Sequence, residues 1–185
     1  MRRNKRLPST ADAPDRKPGL KRAAEHVFFG VDGGIAGTVY GTLVVMAALV
    51  AAYATEKHPW RLAAVVSSTA LVLWFAHLYA HGLSESIAQK RHLNREQLGS
   101  IVHRELGILL AAAAPTTALV LGAVGLFRET TAVWLALAVG LVTLAAEGIR
   151  FSRLERLGLA GTVAATSINL ALGSVVVAMK VALAH

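Results

Sequence analysis

Apolar residues fall in five uncharged runs bounded by charge: Gly33 to Thr55, Leu62 to Ser84, Leu106 to Phe127, Thr130 to Ala146 and Leu157 to Met179. A helix crossing the hydrocarbon core of a bilayer needs roughly 20 apolar residues, each rising about 1.5 Å. Four of the five runs meet that length easily and the run from Thr130 is short. The pattern predicts an all-α transmembrane protein, a five-helix bundle with spans over about 30–54, 62–84, 105–127, 130–149 and 157–180.

Composition agrees. Hydrophobic residues make up 55% of the 185 and mean hydropathy is +0.53, too apolar for a soluble domain of this length to hide, so the lipid bilayer is the expected partner. The chain has no cysteine, which excludes disulfides and thiolate metal sites; a metal would be held by His, Asp, Glu or Asn.

A net charge of +8 would suggest nucleic acid in a soluble protein. Here no nucleic-acid partner is expected, and the charge reports orientation instead. Arg2, Arg3, Lys5, Arg6, Arg16, Lys17, Lys21 and Arg22 precede the first span, whereas the next loop carries only Lys57 and Arg61. With five spans, Lys90, Arg91, Arg95, Arg104, Arg150, Arg153 and Arg156 fall on the same side as the N-terminus, and Arg128 and Lys180 fall opposite. The positive-inside rule then predicts a cytoplasmic N-terminus and an outside C-terminus, in the inner (plasma) membrane. Residues 1–22, with three prolines and mixed charge, read as a disordered basic cytoplasmic tail, and residues 23–185 as the membrane domain.

Small residues mark packing faces. Gly33, Gly37 and Gly41 recur at four-residue steps in span one, and Gly161, Ala165, Asn169 and Gly173 do so in span five. In lipid, such strips let backbones approach. The simplest arrangement packs spans one and five through these faces or uses one of them in a homo-oligomer. Asn169 lies mid-span, where an amide needs a partner across a helix interface or in a polar cavity. Pro115, followed by Thr116 and Thr117, predicts a kink in span three.

The candidate chemistry lies on span two. Ser67, Trp74, His77, His81 and Ser84 share one stripe, and His77, His81 and Glu85 succeed one another at single-turn steps of about 6 Å. Asp32 opens span one at the same depth, His103 and Glu105 open span three there, and Glu147 and Arg150 close span four. Ionisable groups at membrane depth are costly unless paired or wet. Imidazole beside carboxylate suits a divalent metal such as zinc, iron or manganese, or a proton relay. Asp32, His77, His81 and Glu85 are therefore the candidate metal or proton pathway; Asn169 and Glu147 are candidate polar interhelical residues. The alternative is an interhelical network that only fixes packing. No resident cofactor is expected, a divalent metal entering only as a transported substrate.

The stretches Gly-Thr-Val-Tyr-Gly-Thr at 37–42 and Trp-Phe-Ala-His-Leu-Tyr-Ala-His at 74–81 resemble small polytopic bacterial membrane proteins of unknown function. The Asp32-Gly33 pair early in span one also resembles the vacuolar iron transporter family. That resemblance implies five spans, an inside N-terminus and a cation pathway between spans one and two. The family carries a metal-handling carboxylate in span two where this chain has His77 and His81, and its long acidic cytoplasmic helices are missing here. Two functions are expected: a transporter or channel for a small cation, or a non-transporting accessory or scaffold protein. The seven histidines are not gathered as a di-iron hydroxylase would need, and no Gly-x-Ser-Gly protease signal occurs, so no enzymatic activity is expected.

Overall fold

The computed structural model describes residues 34–89 and 94–183. The basic tail over residues 1–22, Asp32 and Gly33 lie outside the described residues. Five helices succeed one another in order: α1 (Gly34–Thr55), α2 (Pro59–Gln89), α3 (Arg95–Ala123), α4 (Glu129–Leu154) and α5 (Leu159–Leu183). Every described element is helical, and all five helices are long and apolar enough to cross a membrane, as in a multi-pass membrane protein. Backbone donors and acceptors have no water to turn to in hydrocarbon, which is why each span is helical throughout.

Successive helices run antiparallel, so the bundle has two ends. The first gathers Gly34, Gln89, Arg95, Leu154 and Leu159; the second gathers Thr55, Pro59, Ala123, Glu129 and Leu183. Helix α1 sits centrally and packs against each of the other four. Its buried residues, among them Gly41, Val45, Met46 and Leu49, meet Val66 of α2, Leu119 of α3 and Val133, Leu137 and Leu144 of α4 in one apolar core. The buried Thr38 and Thr42 hydroxyls donate to the Gly34 and Thr38 carbonyls of their own helix, each at 2.7 Å, and so make no demand on neighbours.

The small-residue faces go elsewhere than the pairing of spans one and five expected from sequence. A Cβ on Gly37 would lie 3.6 Å from Ile108, and one on Gly41 would lie 3.1 Å from the Ile108 Cα, so this strip seats α3. Gly107 returns the contact, its Cβ position lying 2.7 Å from the Thr38 hydroxyl and 2.9 Å from the Gly34 carbonyl. On α5, Gly173 faces Leu141 and Leu144 of α4, and the space beside Gly161 is filled by Leu157 just ahead of its own helix. The strips are thus used inside one chain. The α5 strip is taken by its neighbour in sequence, α4, whereas the α1 strip is taken by α3, two spans further on.

Helix boundaries also shift. Span three, expected over about 105–127, belongs to a helix that runs unbroken from Arg95 to Ala123. Asn94 caps it: its side chain accepts from the first helical N–H groups and its own N–H donates to Gln97 Oε1 at 2.9 Å, a capping box. Span four extends past 149 to Leu154, because Glu147 and Arg150 pair one turn apart instead of breaking the helix. Pro115 lies inside the continuous α3, and Thr117 Oγ1 donates to the Ala113 carbonyl at 2.8 Å.

The α3–α4 and α4–α5 connections end their first helix in the same way. Leu126 N–H donates to the Leu121 carbonyl and Leu157 N–H to the Ser152 carbonyl, with a left-handed residue before each donor. That residue is Gly125 (φ 86°) in one and Arg156 (φ 53°) in the other. Only glycine adopts this conformation without strain.

Arg156→Gly is therefore expected to raise stability by about 0.5–1 kcal/mol in detergent melts, the strain relieved outweighing the added chain entropy. A second series separates rigid from yielding neighbours. A Cβ at Gly148 would lie 2.7 Å from the Thr166 Cα, at Gly140 it would meet only the flexible Met46 side chain, and at Gly99 it meets nothing within 4 Å. Gly148→Ala should cost about 1–3 kcal/mol. Gly140→Ala should cost less, and Gly99→Ala should stabilise α3 by up to about 1 kcal/mol.

Candidate functional site

At the first end of the bundle, the α1–α3 approach carries a carboxylate into the interior. Glu105 lies on the face of α3 that also presents Ile101 and Ile108, and is only 4% exposed. Opposite it stands Gly37, whose Cβ position is 3.9 Å from Glu105 Oε2; a larger residue there would take the carboxylate's space. From the other side, His81 of α2 reaches in, with Nδ1 3.0 Å from Glu105 Oε1. Arg104 Nε lies 3.7 Å from the same oxygen. The rest of His81 and Arg104 is open, their side chains 45% and 44% exposed, so the site joins a buried anion to surface-facing donors.

The His81 contact engages Nδ1 with a carboxylate, which orients the ring and leaves Nε2 for other chemistry. His77, one turn earlier, is held differently. Its Nδ1 lies 3.0 Å from the Leu73 carbonyl, and since a carbonyl only accepts, Nδ1 carries a hydrogen and donates it there. The His77 ring packs at 5.4 Å against Tyr40 of α1 and at 6.1 Å against His81, centroid to centroid. The structure therefore brings together Tyr40, His77, His81, Arg104 and Glu105 from three helices.

The residues expected from sequence part company in the fold. His77 and His81 are neighbours on one face; Asp32 lies outside the described residues; Glu85, partly buried, sits one turn beyond His81 on α2. Glu147 pairs with Arg150 of its own helix at 3.3 Å, so its partner among the described residues is not on another span. Asn169 Nδ2 donates to the Leu144 carbonyl at 3.1 Å, joining α5 to α4. Among the described residues, no three of His, Asp and Glu converge to hold a metal ion. His103 faces outward.

Glu105 was not among the expected site residues, although it opens span three at the same depth. A carboxylate at the boundary of an apolar run looks like a solvated helix end, and only the rotation of α3 turns it inward. The signal available was its i, i+4 relation to Ile101 and its i, i+3 relation to Ile108, which place it on the apolar face.

Further along the same helix pair lies a notch of about 320 Å³ lined by Ser67, Ala70, Ala112 and Thr116 among others. Ser67 Oγ and Thr116 Oγ1 are 3.4 Å apart beside Pro115, whose missing N–H leaves the Ala111 carbonyl without its helical donor. Between the notch and His77 stands Trp74, with its buried indole N–H unpartnered among the described residues. Polar groups thus continue along the α2–α3 seam from the middle of the bundle to the His81–Glu105 pair.

The class the fold defines is a multi-pass helical membrane protein. A scan against protein-family models, a search of curated proteins and a search of solved structures each found no match.

The coupling of His81 to Glu105 is measurable. His81→Ala leaves the buried carboxylate without its imidazole partner and should cost about 1–3 kcal/mol in reversible unfolding from detergent micelles. Adding Glu105→Gln removes the carboxylate that His81 had faced, so the double variant should recover part of that loss, a non-additive result.

Proposed function

We propose that this protein is a transporter or channel for a small cation, with the His81–Glu105 pair at its centre and the proton as the cation it handles. The observation that carries this reading is a buried carboxylate bonded to a half-exposed imidazole inside a bundle of membrane-length helices. An ionisable group held at membrane depth is costly to keep for packing alone. Histidine exchanges protons near neutral pH, and the free Nε2 positions of His77 and His81 give a proton successive places to reside. Tyr40, the Trp74 N–H and the Ser67–Thr116 notch extend the polar seam towards the middle of the bundle. The metal form of the proposal uses Asp32 with His77, His81 and Glu85, of which Asp32 lies outside the described residues.

In this proposal the first end faces the cytoplasm of a plasma-membrane protein. Support comes from the described arginines, of which Arg95, Arg104, Arg150, Arg153 and Arg156 lie at or near that end.

A second reading, a non-transporting accessory protein, is favoured by the Asn169–Leu144 bond and the close glycine contacts, in which polar and small residues serve packing elsewhere in the same bundle.

Proteoliposomes loaded with a pH-sensitive dye distinguish the two. The parent protein should carry protons down an imposed gradient, and His77→Ala with His81→Ala, or Glu105→Gln alone, should abolish the flux while the protein stays monodisperse. An inert parent protein, or flux unchanged in the variants, favours the accessory reading.

A further inference from the structure

At the second end of the bundle, far from His81 and Glu105, three elements converge on a buried cation. Lys180, less than one turn from the end of α5, is 7% exposed. Its Nζ lies 3.7 Å from the ring centroid of Trp134 on α4 and 5.0 Å from that of Tyr53 on α1. Lys57, in the α1–α2 connection, places its own Nζ 3.9 Å from the same Tyr53 ring and donates to the Tyr53 carbonyl at 2.5 Å. Two ammonium groups therefore meet around one phenol ring.

Among the described residues, no carboxylate lies within ion-pair distance of Lys57 or Lys180. Glu56, next to Lys57 in sequence, is committed elsewhere: Oε1 accepts from the His58 backbone N–H at 2.9 Å and Oε2 from Arg61 at 2.9 Å. Those two donors, the His58 N–H first, hold its carboxyl below the usual carboxylate range and keep it charged and occupied. Aromatic faces stabilise a cation but accept none of its hydrogen bonds in the way an oxygen does. Lys180 makes no hydrogen bond to a described residue, so its three N–H donors remain to be used.

We infer that Lys57 and Lys180, walled by Trp134 and Tyr53, form a binding site for a phosphate-bearing anion. A tetrahedral anion offers several acceptor oxygens, enough to bridge both ammonium groups and relieve their mutual repulsion. The site sits within about one and a half turns of the helix ends, where Trp and Tyr lie at headgroup level and phospholipid phosphates are found. The same chemistry also describes free phosphate. This inference does not depend on the proposed transport function, because it uses no residue of the His81–Glu105 group.

Native mass spectrometry of the full chain in mild detergent tests it, with phosphatidylglycerol, phosphatidylcholine and inorganic phosphate titrated separately. The parent protein should retain phosphatidylglycerol or phosphate, and Lys180→Met should weaken that binding about tenfold or more, as loss of a charge-assisted contact requires. Lys57→Gln, at an exposed position outside the helices, should weaken it in the same direction without affecting folding, and Lys180→Arg should restore it. Selective retention of phosphatidylglycerol identifies a lipid headgroup; equal, lysine-dependent binding of inorganic phosphate identifies the free anion. Binding that is the same in the parent and in Lys57→Gln, or no preference for phosphatidylglycerol over phosphatidylcholine together with no phosphate binding, overturns the inference.

Discussion

Lipid tails are as apolar as leucine, so helices in a bilayer gain little by hiding apolar side chains from their surroundings; they associate where backbones come close and polar groups find partners. In this bundle that constraint is met first between α1 and α3. Gly41 lies against the Ile108 backbone and Gly107 against Thr38 and the Gly34 carbonyl, while the intervening threonine hydroxyls bond back to their own helix. The contact makes α1 the central helix, and the other three take their places around it.

The same contact positions the chemistry. With Gly37 opposite, Glu105 has room on the inner face of α3, and α2, antiparallel to α3, brings His81 to it at 3.0 Å. At the far end α1 contributes Tyr53 and α4 contributes Trp134, and Lys180 of α5 lies against both rings. The two ends differ in character: an acid paired with imidazole and guanidinium at one, two ammonium groups held by aromatic rings at the other. A buried charge at each end, with an apolar core of Val45, Met46, Leu49, Leu137 and Leu144 between, is the arrangement from which both the proposed cation handling and the inferred anion site arise.

Much of the fold was legible in the chain because bilayer thickness imposes a length on each apolar run. The run from Leu62 and the run from Leu157 read directly as α2 and α5. Where charge interrupted a run, the reading fell short: Glu147 and Arg150 ended span four at 149, yet their pairing lets α4 continue to Leu154. The expected start of span three at about 105 likewise fell short, because the helix capped by Asn94 continues without a break from Arg95 to Ala123. In the site, the adjacency of His77 and His81 comes from helical spacing alone. The partnership with Glu105 does not, since it depends on the rotation of α3 about its own axis.

The sequence by itself determined the number of membrane-length helices among the described residues, their apolar character and the internal neighbours on each one, because hydrophobic length and the 3.6-residue turn are local properties. Tertiary structure alone decided which glycine strip meets which helix, which carboxylate reaches the histidines and which rings enclose Lys180. Those choices rest on shape matching between surfaces of nearly identical composition, where a fraction of an ångström of backbone approach, rather than polarity, separates one partner from another.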